Sequence, residues 1–146
     1  MAVTNPVTTN GSLVYVSAAT PATFDAAGFG ALTWTLVPDM ISWPEIGDDH
    51  ATQSYGSLRD GTIYVQGARD GGNRSFSMRY EKTDAGQIII RAANGGSPMS
   101  VKVVDTDGET RYLWGIVNSL KMVPVDGSTV KGQSGQFAAN RAPVVV

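Results

Sequence analysis

Cysteine is missing from the 146 residues. No disulfide framework, thiol nucleophile or cysteine-based zinc site can be built without it. Histidine occurs once, at His50, beside Asp48 and Asp49. A transition-metal set needs a second His or a Cys, so a solvated loop is expected there rather than a metal site. Lys and Arg are absent from residues 1–58, which carry five acids (Asp25, Asp39, Glu45, Asp48, Asp49) and a net charge of -5. Residues 59–146 carry a net +3. Charge separated in this way along a chain can reach separate faces of the folded molecule. Charged residues make up 16% of the chain, below the ~25% usual for soluble domains. A Gly-rich, lightly charged chain of this kind often hides surface in an assembly. No apolar run approaches the ~18 residues of a membrane span, so no membrane anchor is expected. MAVTNPVTTNG at the N-terminus has neither a basic region nor an apolar run, and does not read as a signal peptide. The expectation is a soluble chain made in a cytoplasm.

Sequence signals for chemistry are also sparse. The Gly-rich segments at 67–72 and 94–96 lack the GK[ST] of a phosphate loop. No nucleophile-elbow sequence accompanies His50. Asp105-Thr106-Asp107-Gly108-Glu109 resembles the start of a calcium loop, but Trp114 stands where that loop needs its closing Glu. A hairpin turn is the expected reading. No basic run interleaved with aromatics marks a nucleic-acid surface. Neither enzymatic activity nor a cofactor is expected.

The most informative stretch is GARDGGNRSFSMRYEKTDAGQIIIRAANG, residues 67–95. GARDGG reads as a turn. Phe76, Met78 and Tyr80 then alternate with Ser75, Ser77 and Arg79, the period of a half-buried strand. Asp84 and Gln87 have capping-box spacing, and Asn94-Gly95 supplies a stop, so a helix is predicted over about 84–93. Ala85, Ile88, Ile89 and Ala92 share one helical face and are expected in the core. On that reading Ile88→Asp unfolds the subunit, while Ile90 lies off the face and meets a loop or a neighbouring subunit.

The rest of the chain reads as short strands. Residues 1–11 form a polar N-terminal arm. Leu13–Ser17 is a strand, and Ala18–Ala31 a small-residue loop with Phe24 and Phe29 as plugs. Leu32–Leu36 and Met40–Trp43 are strand-like, with Pro38 between them favouring an edge or a bend. Residues 45–61 show no sustained period and read as a long loop, functional or disordered. Thr62–Gln66 sets Ile63 and Val65 against Thr62, Tyr64 and Gln66. Ser100–Val104 and Glu109–Lys121 form a hairpin. Its second arm is apolar on both faces, so a central strand covered on both sides is expected. A turn at 123–127, a Gly-interrupted strand at 128–138 and a tail at 140–146 complete the chain. The fold class is mainly β: one domain, a β-sandwich or rolled barrel of about seven or more strands with one packed helix.

These parts occur in a recognisable order. TIYVQGARDGG, SFSMRYE, TDAGQ, VKVVDTDGETRYLWGIVNSLK and a closing strand before NRAPVVV together resemble the tail tube (major tail) proteins of long-tailed, siphovirus-like bacteriophages. Asp70-Gly71, Asp84-Gly86-Gln87, and Asp107-Gly108 through Trp114, Gly115 and Val117 carry the resemblance, over residues 30–146. The Ala18–Ala31 loop has no counterpart in the pattern. The resemblance implies a structural virion protein whose copies form hexameric rings. Rings stack into a hollow tube through which phage DNA is ejected, and other tail proteins cap the tube's ends.

Within that frame, the 45–61 loop is expected to be the ring-stacking contact through Glu45, Asp48, Asp49, His50, Tyr55, Leu58 and Arg59. It is expected to dock by its acidic half on a basic part of the neighbour, and to order only on assembly. Thr62, Tyr64, Gln66, Ser75 and Ser77 are expected to line the lumen, polar rather than basic, so that passing DNA does not stick. The competing reading is a stand-alone β-sandwich binding or capsid-decoration module.

Overall fold

The computed structural model describes residues 11–122, 127–128 and 131–146. The expected arm lies outside these residues except for Gly11, as does most of the turn at 123–127. In chain order the elements are β1 (Leu13–Ser17), α1 (Ala26–Gly30), β2 (Thr35–Leu36), β3 (Met40–Ser42), β4 (Asp49–Ser57), β5 (Gly61–Asp70), β6 (Asn73–Arg79), α2 (Ala85–Ala93), β7 (Met99–Val104), β8 (Thr110–Met122), β9 (Gly132–Ala139) and β10 (Val144–Val145).

Eight strands form one antiparallel sheet, seven of them in the order β2-β1-β7-β8-β9-β6-β3 with β10 added beside β8, and β4 and β5 pair separately as a hairpin. The sheet is curled into a half-barrel, and the connection at 37–39 accounts for the curl. β2 and β3 occupy opposite edges, yet Leu36 and Met40 are four residues apart, a reach of at most ~14 Å. Pro38 sits in this connection, as expected of a residue that cannot extend a ladder. The inner side carries Val14, Val16, Phe76, Met78, Val101, Val103, Leu113, Val117 and Phe137, all buried. Trp43, following β3, stacks on Phe76 at 5.3 Å and tilts against Phe137 at 5.5 Å.

β8 is the central strand and is covered on both sides. The inner cover is the core itself, with α2 packed against β1, β2 and β8. The outer cover comes from the 18–34 segment. Phe29 stacks on Tyr112 at 5.2 Å, Trp34 on Tyr112 at 5.8 Å, and Phe24 meets Trp114 edge-on at 5.1 Å. Both phenylalanines are therefore plugs, and Phe29 is fully buried. Asp25 caps α1: its carboxylate accepts bonds from Gly28 N and Thr23 Oγ1, both at 2.8 Å. The tail at 140–146 is not loose. β10 pairs with Arg111 and Tyr112 of β8, extending the line of β9 along the same strand.

The helix is where the sequence places it, with Asp84 accepting from Gln87 N at 3.2 Å. The buried face differs from the expected one. Gly86, Gln87, Ile90 and Ala93 point inward, while Ile88 is half exposed. Two polar requirements decide the rotation. Gln87 donates to Arg79 O at 2.6 Å and accepts from Glu81 N at 2.9 Å, tying the helix start to the end of β6. At Gly86 the helix approaches so closely that a Cβ would lie 2.8 Å from Leu36 O. Ile89 flanks the core; Ala85 and Ala92 face outward. The expectation that Ile88 anchors the core is thus corrected, as is that of Ile90 as a subunit contact: Ile90 is 0% exposed within its own subunit.

Two predictions follow from this packing. Ile90→Ala should cost about 2–5 kcal/mol by urea unfolding, whereas Ile88→Asp should stay within about 0.5 kcal/mol of the parent. For Asp25, the backbone bond from Gly28 and then the hydroxyl of Thr23 hold the carboxyl below the usual carboxylate range. Its contribution is present above the unfolded-state pKa and is lost as pH falls through the lower folded-state value. Asp25→Ala should melt below the parent at neutral pH, and the gap should narrow as the parent's carboxyl protonates.

Candidate assembly interface

The 45–61 segment is not an irregular loop. β4 and β5 run antiparallel from Asp49↔Asp70 to Ser57↔Gly61, with Leu58, Arg59 and Asp60 at the tip. The Gly67–Asp70 part of the expected turn is likewise strand, and only Gly71–Gly72 bends. β3 pairs with β6 and β4 pairs with β5. The hairpin is therefore the outward continuation of the β3–β6 edge. At nine residues in β4 and ~3.4 Å per residue it is roughly 30 Å long.

The described residues of the subunit give this arm no cover. Among the described residues, β4 and β5 pack chiefly on each other, and nearly all their side chains are exposed. A two-stranded hairpin alone in water is marginal at best. Its register nevertheless makes it two-faced. Tyr55↔Ile63 and Gln53↔Val65 share one face, and Ser54↔Tyr64, Thr52↔Gln66 and Gly56↔Thr62 share the other. Tyr55 and Val65 are about half exposed, and Leu58 at the tip is fully exposed.

The residues expected to stack rings are spread from root to tip. At the root, Arg69 Nε pairs with Asp48 at 3.2 Å, and Arg74 pairs with Asp49 at 3.4 Å and Glu45 at 3.9 Å. Arg74 also donates to Glu45 O at 2.9 Å. The acidic half is thus partly paired inside the subunit, Asp48 by Arg69 and Asp49 by Arg74, while the Glu45 and Asp49 side chains stay exposed. His50 faces Arg69 across the ladder, with no second His or Cys available to complete a metal site. Tyr55, Leu58 and Arg59 remain outward; Arg59 meets only Asp60, at 3.8 Å and largely in solvent.

The five expected lumen residues divide between two places. Thr62, Tyr64 and Gln66 lie on the arm. Ser75 and Ser77 lie on the outer side of the half-barrel, in a polar field that the sequence reading did not assemble. Ser42, Ser77, Ser134 and Lys121 are successive cross-strand partners over β3, β6, β9 and β8. Ser75, Gln136 and Ser119 form the next row. Ser42 and Ser77 hydroxyls bond at 2.8 Å, and Asn73 donates to Gln136 at 2.8 Å. The cation within these rows is Lys121, while Arg79 beside them is held by Asp39 at 2.9 Å. The period-two alternation of GQSGQFAA was the signal that could have found Ser134 and Gln136.

The turn between β7 and β8 is the predicted hairpin turn. Carboxylate oxygens of Asp105, Asp107 and Glu109 lie within 4.8 Å of one another. The Arg111 guanidinium already bonds Asp105, and bonds Glu109 at 3.1 Å, so positive charge is supplied from within. Near β3, a concavity of 590 Å³ is lined by Val14, Ile41, Trp43, Val103, Asp105 and Arg111. Ile41 is 70% exposed there.

No protein-family model matches the chain, and no curated protein matches it. Solved structures do. The SPP1 tail tube is similar over 96% of this chain and 78% of that one, with a TM-score of 0.67 and 14% identity. The tube-terminating cap of the anti-feeding prophage covers 100% of this chain and 94% of its own, with a TM-score of 0.65 and 12% identity. The sheath/tube terminator of the extracellular contractile injection system PVC covers 99% and 98%, with a TM-score of 0.64 and 12% identity. At these identities the likeness establishes a shared fold: this chain has the fold found in tail-tube and tube-terminator proteins.

Proposed function

We propose that the protein is a structural subunit of a phage-like tail tube, its copies forming rings that stack into a hollow tube. The observation that carries this reading is the uncovered arm, Asp49–Asp70, on a half-barrel with the tail-tube fold. A hairpin that cannot bury its apolar face in its own subunit gains cover from a second copy. Tyr55, Ile63, Val65 and Leu58 supply the apolar side of that contact. Among the described surface, the concavity beside β3 with Ile41 offers it a matching apolar seat. The contact is heterologous, arm to groove, and such contacts close into rings or run on as stacks according to their rotation.

The outer field of Ser42, Ser75, Ser77, Ser119, Ser134 and Gln136 suits a lumen wall. Its low cation content means few phosphates are neutralised, so DNA slides rather than binds. In this reading the rings are hexameric, the tube belongs to a siphovirus-like virion assembled from protein made in the host cytoplasm, and other tail proteins close its ends. A second reading has its own support. The chain aligns end to end with the tube-terminating cap of the anti-feeding prophage, so a ring that caps a tube, instead of forming its length, is the alternative within the same architecture. A stand-alone binding module would leave the arm bare.

Replacing residues 50–69 by a short Gly-Ser turn tests the reading. Deleting Asp48–Ser57 alone would strand β5 without a partner. The variant should keep the parent's circular dichroism and melting curve but sediment as a monomer, while the parent forms rings or tubes on concentration in negative-stain micrographs. Normal tubes from the variant would remove the arm from assembly. A parent that stays monomeric when concentrated overturns the tube. Rings that never lengthen favour the cap. As a second prediction, Ser77→Lys with Ser134→Lys should give assembled protein that retains duplex DNA at low salt and releases it steeply as salt rises. The parent should retain none.

A further inference from the structure

The root of the arm carries more ionic chemistry than an ordinary strand junction needs. On the first arm the chain is anchored as far as Ile46, which packs on the core, and then turns at Gly47 with φ +153. On the second arm it turns at Gly72 with φ +74. Gly71 is pinned between them, since a Cβ there would lie 2.5 Å from Ala139 O. A Cβ at Gly72 would lie 2.9 Å from Arg74 Nε, so glycine also leaves the room through which Arg74 reaches the first arm. Both arms thus leave the half-barrel through glycine at the same level, the arrangement of a hinge.

Four charged groups span that hinge. Asp48 sits on the first arm immediately past Gly47, and its partner Arg69 sits on the second arm, two residues short of Gly71. Both side chains are largely buried, 12% and 26% exposed. Arg74 belongs to β6 of the half-barrel, and its partner Asp49 belongs to β4 of the arm. The Arg74–Asp49 bridge therefore fixes the arm to the body, and the Asp48–Arg69 bridge fixes the two arms to each other. Asp49 faces Asp70 across the ladder, a like-charge pairing that opposes closure by itself. Arg74 offsets it at Asp49, and Asp70 accepts from Gly72 N at 2.9 Å. Among the described residues, Asp48 Oδ1 and Arg69 Nη2 are buried without a hydrogen-bond partner. A buried ion pair left half-satisfied adds little stability, and its best-attested use is to specify geometry.

We propose that these groups form a charge latch that presets the arm: Gly47 and Gly72 make it a hinge, and Asp48–Arg69 with Arg74–Asp49 hold it in one pose in the lone subunit. This inverts the expectation of a loop ordered only on assembly. Docking then takes up an arm already aimed, which removes much of the ordering cost of association. The inference rests on the arm as an assembly element only for its third readout below, the concentration needed for assembly.

The chain's lack of cysteine makes the test direct. Spin labels are placed at Leu58→Cys on the tip and Ala92→Cys on α2, both exposed, and the distance distribution is measured at a dilution where the protein is monomeric. The parent should give one narrow distribution. Asp48→Asn and, separately, Arg74→Gln should each broaden it at least twofold. Amide exchange should rise at least tenfold over residues 49–70 while β6, β8 and β9 keep the parent's protection. In unlabelled protein, the same variants should raise the concentration needed for assembly about tenfold. A distribution already broad in the parent overturns the latch, and so does one unchanged in both variants. Exchange that rises throughout the half-barrel also overturns it, because the bridges would then be ordinary contributors to stability. A narrow parent distribution broadened by the variants, in a protein that never assembles, would uphold the latch while removing the tube reading.

Discussion

Three residues, Val37, Pro38 and Asp39, join the two opposite edges of one sheet, and the rest of the molecule depends on that constraint. A flat seven-stranded sheet at ~4.8 Å per strand would hold its edges nearly 30 Å apart, twice what the connection can span. The sheet has to roll. Rolling gives it an inner side that can be filled by single residues from each strand, and an outer side that must be either covered or polar. Both solutions are used. Over β1, β7 and β8 the 18–34 segment supplies an aromatic cover. Over β3, β6, β9 and the far half of β8 the outer side is hydroxyl and amide.

Closure also determines where an arm can leave. β2 is two residues long and β3 three, so neither edge offers a long free ladder of its own, which limits edge-to-edge aggregation. The chain emerges from β3, continues past the barrel and returns as β5 into β6. The arm is the place where strand pairing exceeds what the barrel can bury. Its apolar face would be a liability on a solitary protein; on the proposed tube subunit it would be one half of a contact. The polar field and the arm issue from the same β3–β6 pair, so in the proposed tube the ring contact and the lumen wall would be coupled through one edge.

The legible parts of the sequence were those set by local rules. Asp84 and Gln87 announce the helix because capping is a matter of neighbours in sequence. Asp107-Gly108 announces the β7–β8 turn for the same reason, and Gly108 does adopt φ +89. β8 reads as central because it is apolar on both faces. The errors fall where a distant partner decides. Counting apolar residues turned α2 towards Ile88, but the interior needed Gln87 for the carbonyl of Arg79 and Gly86 for the backbone of Leu36. The β4 strand was invisible because DHATQSYGS has no apolar alternation of its own. Its pattern exists only once Tyr55 is set against Ile63 and Gln53 against Val65. The lumen set was divided for a related reason: Thr62 and Ser75 belong to consecutive strands, and only the bend at Gly71–Gly72 puts those strands in different sheets.

The uneven charge of the sequence finds its explanation at the same bend. The first 58 residues carry acids alone, and three of their five carboxylates, Glu45, Asp48 and Asp49, gather at the arm's root. Their partners are Arg69 of the return strand β5 and Arg74 of β6 in the half-barrel. In the observed register the Asp48–Arg69 bridge ties one arm of the hairpin to the other, and Arg74 offsets the like-charge pairing of Asp49 with Asp70. Such a device matters most for a strand pair that no core supervises. Inside the barrel, hydrophobic burial punishes a slipped register on every strand; on the arm, whose described side chains are nearly all exposed, the Asp48–Arg69 bridge adds a tie between the strands. Three of the first half's five carboxylates thus gather at the place where, among the described residues, the fold has least hydrophobic burial to specify itself.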